Sequence, residues 1–161
     1  MKINKFKKLN GRGLKIAIVQ ARFNRKITDS LAIGAEKALK ESGVRENDIK
    51  IFQVPGSFEI PFACQQLARI KKFDGLISIG AVIKGETSHF KHISRAATDG
   101  ILKVSLDFNI PISFGVITVE NLKQAQTRSG NNKNNKGYEA AMALVELIVE
   151  TPRLQVGASP R

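Results

Sequence analysis

Gly85-Glu86-Thr87-Ser88-His89 holds the residue types best suited to chemistry in this chain. The segment follows an apolar run and precedes a stretch of helical periodicity, so it opens a helix. A helix start carries free backbone N–H groups and a partial positive charge, a combination that binds phosphate. Gly85 lets the backbone approach a ligand, Thr87 can cap the helix or donate a hydroxyl, and Lys84 adds a cation. An ordinary capped helix start accounts for the same residues equally well. The spacing of a Walker loop is absent, and no dinucleotide fingerprint follows the first strand. His89 sits at the same helix start, and histidine is the side chain best able to pass protons near neutral pH. His92, three residues on, reads as a surface residue. No third ligand type clusters with the two histidines, so no metal is expected.

Other candidates lie elsewhere. Phe23, in a loop after the first apolar run, could stack on a planar ring or pin the loop to the core. Phe114 carries the same ambiguity and leans to the core because it lies within a strand. Glu59 could accept hydrogen bonds from hydroxyl or ring N–H groups, or simply favour a helix dipole. Arg128, near the end of a short helix, could neutralise a phosphate in a bidentate contact or interact with its own helix terminus. Cys64 falls inside a helix and is expected to pack as a small buried hydrophobe.

The elements that must position these residues alternate between strand and helix. The runs 15–19, 49–54, 76–83 and 112–117 read as strands of a parallel sheet, the first of them as a buried strand. Between them, Ile27, Leu31, Ala35, Ala38 and Leu39 share one face of a helix that Thr28 or Asp29 could cap and Gly43 stops. Pro61 suits the first turn of the next helix, lined by Ile60, Ala63, Leu67 and Ile70. A long helix runs to about Phe108, a short one holds Leu122 and Ala125, and a last one spans about 138–149. The fold expected is α/β: a three-layer α/β/α sandwich on a four-stranded, doubly wound parallel sheet. Ligands of such sheets bind beyond the carboxyl ends of the strands, which selects Phe23, 57–59, 81–89 and Phe114.

Composition narrows the classes. The 161 residues suffice for one domain, and the hydrophobic share of 42% is globular. Residues 1–13 are expected to form a flexible basic arm, 14–150 the domain and 151–161 a tail. No apolar run suits a bilayer, and no apolar signal core follows the basic start. With Cys64 as the only cysteine no internal disulfide can form, and a cytoplasmic location is expected. The net charge of +12 admits an anionic partner. The basic residues are spread out, though, and a nucleic-acid reading would rest on charge alone.

Taken together, the segments resemble the lumazine synthases over nearly the whole chain. The resemblance rests on 21–24 (Ala-Arg-Phe-Asn), on 54–61 (Val-Pro-Gly-Ser-Phe-Glu-Ile-Pro) and on 80–90 (Gly-Ala-Val-Ile-Lys-Gly-Glu-Thr-Ser-His-Phe). It continues in 114–118, 124–130 and 135–141, all in order along the chain. A flavodoxin-like fold follows from it. So does the condensation of 5-amino-6-(D-ribitylamino)uracil with 3,4-dihydroxy-2-butanone 4-phosphate to 6,7-dimethyl-8-ribityllumazine, phosphate and water, without cofactor or metal. The resemblance implies that Phe23 stacks on the pyrimidine and that Ser57, Phe58 and Glu59 hold the ribityl chain and ring edge. Ala81, Val82 and Ile83 would present backbone groups to the ring. Glu86 and Thr87 would take the phosphate with Arg128, and His89 would move protons. Phe114 and Arg128 would come from a neighbouring subunit of a pentamer, many family members packing twelve pentamers into an icosahedral shell. Three positions depart from the family pattern: Lys84 replaces a usual arginine, Lys91 a common acidic residue, and Asn134 a glycine.

Overall fold

The computed structural model describes residues 6, 7 and 9–156. The four apolar runs form strands β1 (Ile16–Ala21), β2 (Ile49–Val54), β3 (Gly75–Ile83) and β4 (Ile112–Val119). All pair in parallel, in the order β2-β1-β3-β4, with β1 and β3 at the centre. β1 is buried along its whole length, as a strand covered on both faces must be. The edge strand β2 is exposed over most of its residues.

Helices α1 (Arg25–Glu41), α2 (Ile60–Arg69), α3 (His89–Asp107), α4 (Leu122–Arg128) and α5 (Lys136–Val156) cover both faces. α1, α4 and α5 bury Ile27, Leu31, Ala125, Leu144 and Val145 against Ile16, Ile18, Ile77 and Ile79. On the opposite face α2 and α3 bury Ile60, Cys64, Leu67, Ile101 and Val104 against Ala17, Val19, Leu76 and Val116. The doubly wound three-layer sandwich is therefore observed. Among the described residues no helix is long and apolar enough to cross a membrane.

Four local expectations change. Neither Thr28 nor Asp29 caps α1: Thr28 is buried inside it, Asp29 accepts a 2.6 Å hydrogen bond from the Gln20 side chain, and the helix begins after Asn24. Ile70 falls just beyond α2 and is exposed rather than lining it. Helix α5 runs from Lys136 through Pro152 to Val156, past the expected end near 149 and into the segment expected as a tail. Proline deletes one backbone donor, and at an exposed position the freed carbonyl can turn to water. Finally, the chain docks before Leu14: Leu9 packs on the core and the Gly11 N–H donates to the Ser42 carbonyl at 2.7 Å. The remainder of the expected basic arm, residues 1–5 and 8, and the end of the tail from 157 lie outside the described residues.

The α1–α5 pair carries a titratable lock. The Tyr138 hydroxyl donates to the Glu41 carboxylate at 2.6 Å. That hydrogen bond, with burial and the carboxylate's charge, pushes the phenol up to about 12. The folded value exceeds the unfolded one near 10, so the stabilisation is complete below about pH 10 and disappears as pH rises towards 12. Y138F is expected to lower stability at neutral pH by about 1–2 kcal/mol, the range for a hydrogen bond to a charged group with one partly hydrated partner. Denaturant titrations at pH 8 and 11 check this: the gap between wild type and variant must narrow at the higher pH.

Candidate active site

The strand order reverses between β1 and β3, and there the carboxyl ends of the two strands open a cleft of about 400 Å³. Its position is the one where doubly wound sheets bind ligands, and its volume is that of a small-molecule site. Three loops shape it. After β1 the ladder to β2 runs on, with Arg22 N–H donating to the Val54 carbonyl at 2.8 Å and Phe23 N–H to the Pro55 carbonyl at 3.0 Å. The chain then reverses at Asn24, whose φ of 58° is left-handed. Asparagine tolerates that conformation better than most residues. Its side-chain amide reaches across to donate to the Ala81 carbonyl at 2.8 Å, tying the loop after β1 to the end of β3.

Phe23 is 72% exposed and Phe58 58%, both at the cleft wall. Neither is a core residue, so the stacking alternative for Phe23 is the one the geometry allows. Ser57 is buried against β3, where a Cβ on Gly80 would stand 2.5 Å from its hydroxyl. Glycine at that strand position is thus what admits Ser57. Glu59 is the only carboxylate lining the cleft among the described residues, and one of its oxygens accepts the Gly56 N–H at 2.8 Å. This bond closes the turn after β2. A carboxylate has further lone pairs, so Glu59 keeps capacity for a ligand hydroxyl.

The third wall is Ala81, Val82 and Ile83, followed by Gly85, Thr87 and His89. Ser88 makes no side-chain cap; the Thr87 hydroxyl accepts the His89 N–H at 3.3 Å and performs that service. His89 is exposed on the first residue of α3 and faces the cleft. Lys84 does not serve as a free cation. Its ammonium pairs with Glu120 at 2.7 Å and lies 5.9 Å from the centre of the Phe90 ring. Together with the 2.9 Å bond from its N–H to the Val119 carbonyl, it fastens the ends of β3 and β4.

The cleft therefore gathers Phe23, Ser57, Phe58, Glu59, Ala81, Val82, Ile83, Thr87 and His89, as expected from the sequence. Glu86 is exposed between two lining residues without lining the cleft itself. Phe114 and Arg128 are elsewhere. Phe114, on the edge strand, is 44% exposed rather than in the core. It lines a separate hollow with Phe6, Lys136 and Glu139. Arg128 is exposed at the end of α4, where its guanidinium donates to the Gln124 carbonyl of its own helix at 3.3 Å. Four lining residues were not singled out in the sequence: Asn24, Gly56, Phe90 and Ile93. Ile93 could have been found, because it lies one turn beyond His89 on the same helical face.

Cys64 is buried beneath α2, and burial pushes its thiol up to about 12, so it takes no part as a nucleophile. Among the described residues no group of three or more histidine, cysteine, aspartate and glutamate side chains is placed to hold a metal ion.

A ring-sized cleft at the switch point, walled by loop aromatics and closed by a helix start bearing histidine, is that of a doubly wound α/β enzyme. Residues 13–151 match the family described as 6,7-dimethyl-8-ribityllumazine synthase, and the chain belongs to that family. Relatives of that name include the protein of Campylobacter lari, 48% identical over 83% of this chain and 86% of its own. The Lactiplantibacillus plantarum protein is 45% identical over 88% and 89%. That of Campylobacter jejuni is 46% identical over 83% and 87%.

Proposed function

We propose that this cleft is the pyrimidine-binding part of a lumazine synthase active site, completed by a neighbouring subunit. The reaction is the condensation of 5-amino-6-(D-ribitylamino)uracil with 3,4-dihydroxy-2-butanone 4-phosphate to 6,7-dimethyl-8-ribityllumazine, phosphate and water, the penultimate step of riboflavin biosynthesis. The enzyme is a transferase of that pathway. The observation that carries the site reading is the convergence of three strand ends on one cleft. They bring together an exposed Phe23, the Glu59 carboxylate, the edge of β3 and His89.

Phe23 stacks on the pyrimidine, and Ser57, Phe58 and Glu59 hold the ribityl chain and ring edge. Ala81, Val82 and Ile83 offer backbone groups to the ring. The loop bearing Glu86 and Thr87 takes the phosphate with Arg128. The amine attacks the ketone with loss of one water to give an imine, and elimination of phosphate leaves an enol that tautomerises to a carbonyl. The ribityl-bearing nitrogen adds to that carbonyl with loss of a second water to close the ring, His89 carrying protons between steps. The amine is already nucleophilic, so most of the acceleration comes from holding both substrates in register.

Phe114 and Arg128 lie outside the cleft of their own chain. For them to serve a site, a neighbouring subunit must bring them to it, as heterologous contacts in a pentameric ring would do. A sixty-subunit icosahedral shell is the further assembly of such rings. We place the enzyme in the cytoplasm, acting on small molecules without cofactor, metal, nucleic acid or membrane.

Purified protein mixed with both substrates, with no metal or cofactor added, is expected to produce lumazine absorbance and phosphate in equal amounts. Pyrimidine binding without either product would reduce the cleft to a binding site. R128A is expected to raise KM for the phosphorylated substrate by about tenfold or more, the loss of one charge-assisted contact, while sparing the pyrimidine. An equal loss for both substrates would make Arg128 structural.

A further inference from the structure

We infer that Asn135 is a positioning residue for the phosphorylated substrate, seated on Gly34 and acting through the segments on either side of it. The inference rests on the proposed role of Arg128. The loop from 129 to 135 joins α4 to α5 and reads as a polar, asparagine-rich linker. One of its asparagines behaves differently from the rest. Asn135 is 2% exposed, whereas Asn131, Asn132 and Asn134 are exposed.

Both ends of the buried amide are used. Nδ2 donates to the carbonyls of Ser30 at 3.0 Å, Ser129 at 3.0 Å and Gly130 at 3.1 Å. Two hydrogens serve three acceptors, so one is shared. Oδ1 accepts the N–H groups of Gly137 at 2.8 Å and Tyr138 at 3.1 Å, capping the start of α5. One side chain thus fastens three elements: α1 through Ser30, the end of α4 through Ser129 and Gly130, and α5 through Gly137 and Tyr138. Arg128 immediately precedes Ser129, and Lys136, which lines the hollow beside Phe114, immediately follows Asn135.

The seat is specific. Gly34 lies within α1, where alanine would ordinarily be favoured by up to about 1 kcal/mol. A Cβ there would overlap the Oδ1, Cγ and Nδ2 atoms of Asn135. Glycine in mid-helix therefore leaves room for this amide. Arg128 itself is exposed, and among the described residues its guanidinium is held by a 3.3 Å bond to its own helix, so its backbone anchor decides where the guanidinium can reach. Displacements of about 1 Å around reacting groups can cost on the order of 10²-fold.

The experiment compares N135D and G34A with wild type and R128A, measuring KM for each substrate and kcat on protein confirmed as folded by its melting transition. N135D keeps the acceptor for α5 and loses the donor to the three carbonyls. G34A keeps every group of Asn135 and moves it. Both are expected to raise KM for the phosphorylated substrate by about tenfold, with the pyrimidine KM within about twofold, following the displacement argument. If N135D does not fold, G34A decides alone, since alanine's helix preference offsets part of its steric cost. Unchanged KM values with lower melting temperature would make Asn135 purely structural and overturn the inference. So would an equal rise for both substrates. If R128A itself leaves the phosphorylated substrate's KM unchanged, the underlying reading of Arg128 fails instead.

Discussion

H89A is expected to lower kcat on the order of 10²-fold while leaving pyrimidine affinity nearly unchanged. The figure is the lower end of what a positioned general acid–base supplies. It stays at that end because proximity of the two substrates accounts for much of the acceleration, and truncating His89 does not disturb it. The structure explains why binding should survive. His89 is exposed on the first residue of α3, and its N–H to the Thr87 hydroxyl is a backbone bond that alanine retains. Ala81 and Val82, the part of the cleft wall proposed to meet the ring, are buried in β3 rather than carried on α3. Single-turnover rates with pyrimidine binding measured separately would check this. An unaltered rate would remove His89 from the chemistry. A parallel collapse of pyrimidine binding would make it a wall of the pocket. Among the described residues no carboxylate is paired with His89, which adds weight to Lys91 standing where the family pattern commonly has an acidic residue.

Much of this arrangement is legible in the chain itself, for local reasons. In 49–54 the β-favouring Ile49, Ile51, Phe52 and Val54 are set between Asp48 and Pro55, and β2 has those limits. Gly43 ends α1 in a left-handed conformation, as glycine after a helix commonly does. The cleft residues were found because parallel sheets place ligands at strand ends, a rule that needs only the order of elements. What was not legible depends on distant partners. Asn24 is not read as a tie because its acceptor, the Ala81 carbonyl, lies 57 residues away. Lys84 reads as a free cation in the sequence because its partner, Glu120, lies 36 residues on. Phe114 looked like core because strand membership suggests burial, but β4 is an edge strand, a fact of sheet order rather than sequence. The same limit applies to the polar loop after Arg128, whose composition hides the one asparagine that is buried.

The largest stability effect is expected at Gly137, where the reason is again a distant one. Its N–H donates to Asn135, it sits on the first turn of α5, and a Cβ there would fall on the backbone carbonyl of Leu31 in α1. A flexible side chain could step aside; a helix backbone can yield only by moving the whole element. Its φ is not left-handed, so conformational freedom is not the reason for glycine here. G137A gains up to about 1 kcal/mol of helix propensity. Against that stands overpacking of about 1–3 kcal/mol or more, together with loss of the Asn135 bonds as α5 lifts. The net expected loss is about 3 kcal/mol, or about 6–12 °C in Tm for a chain of this size. G85A is the control, because a Cβ at Gly85 meets nothing within 4 Å. Thermal unfolding of the two variants side by side separates the explanations. A Tm for G137A equal to that of G85A would show that α1 and α5 can part at little cost, and that their close crossing does not hold this face of the sheet.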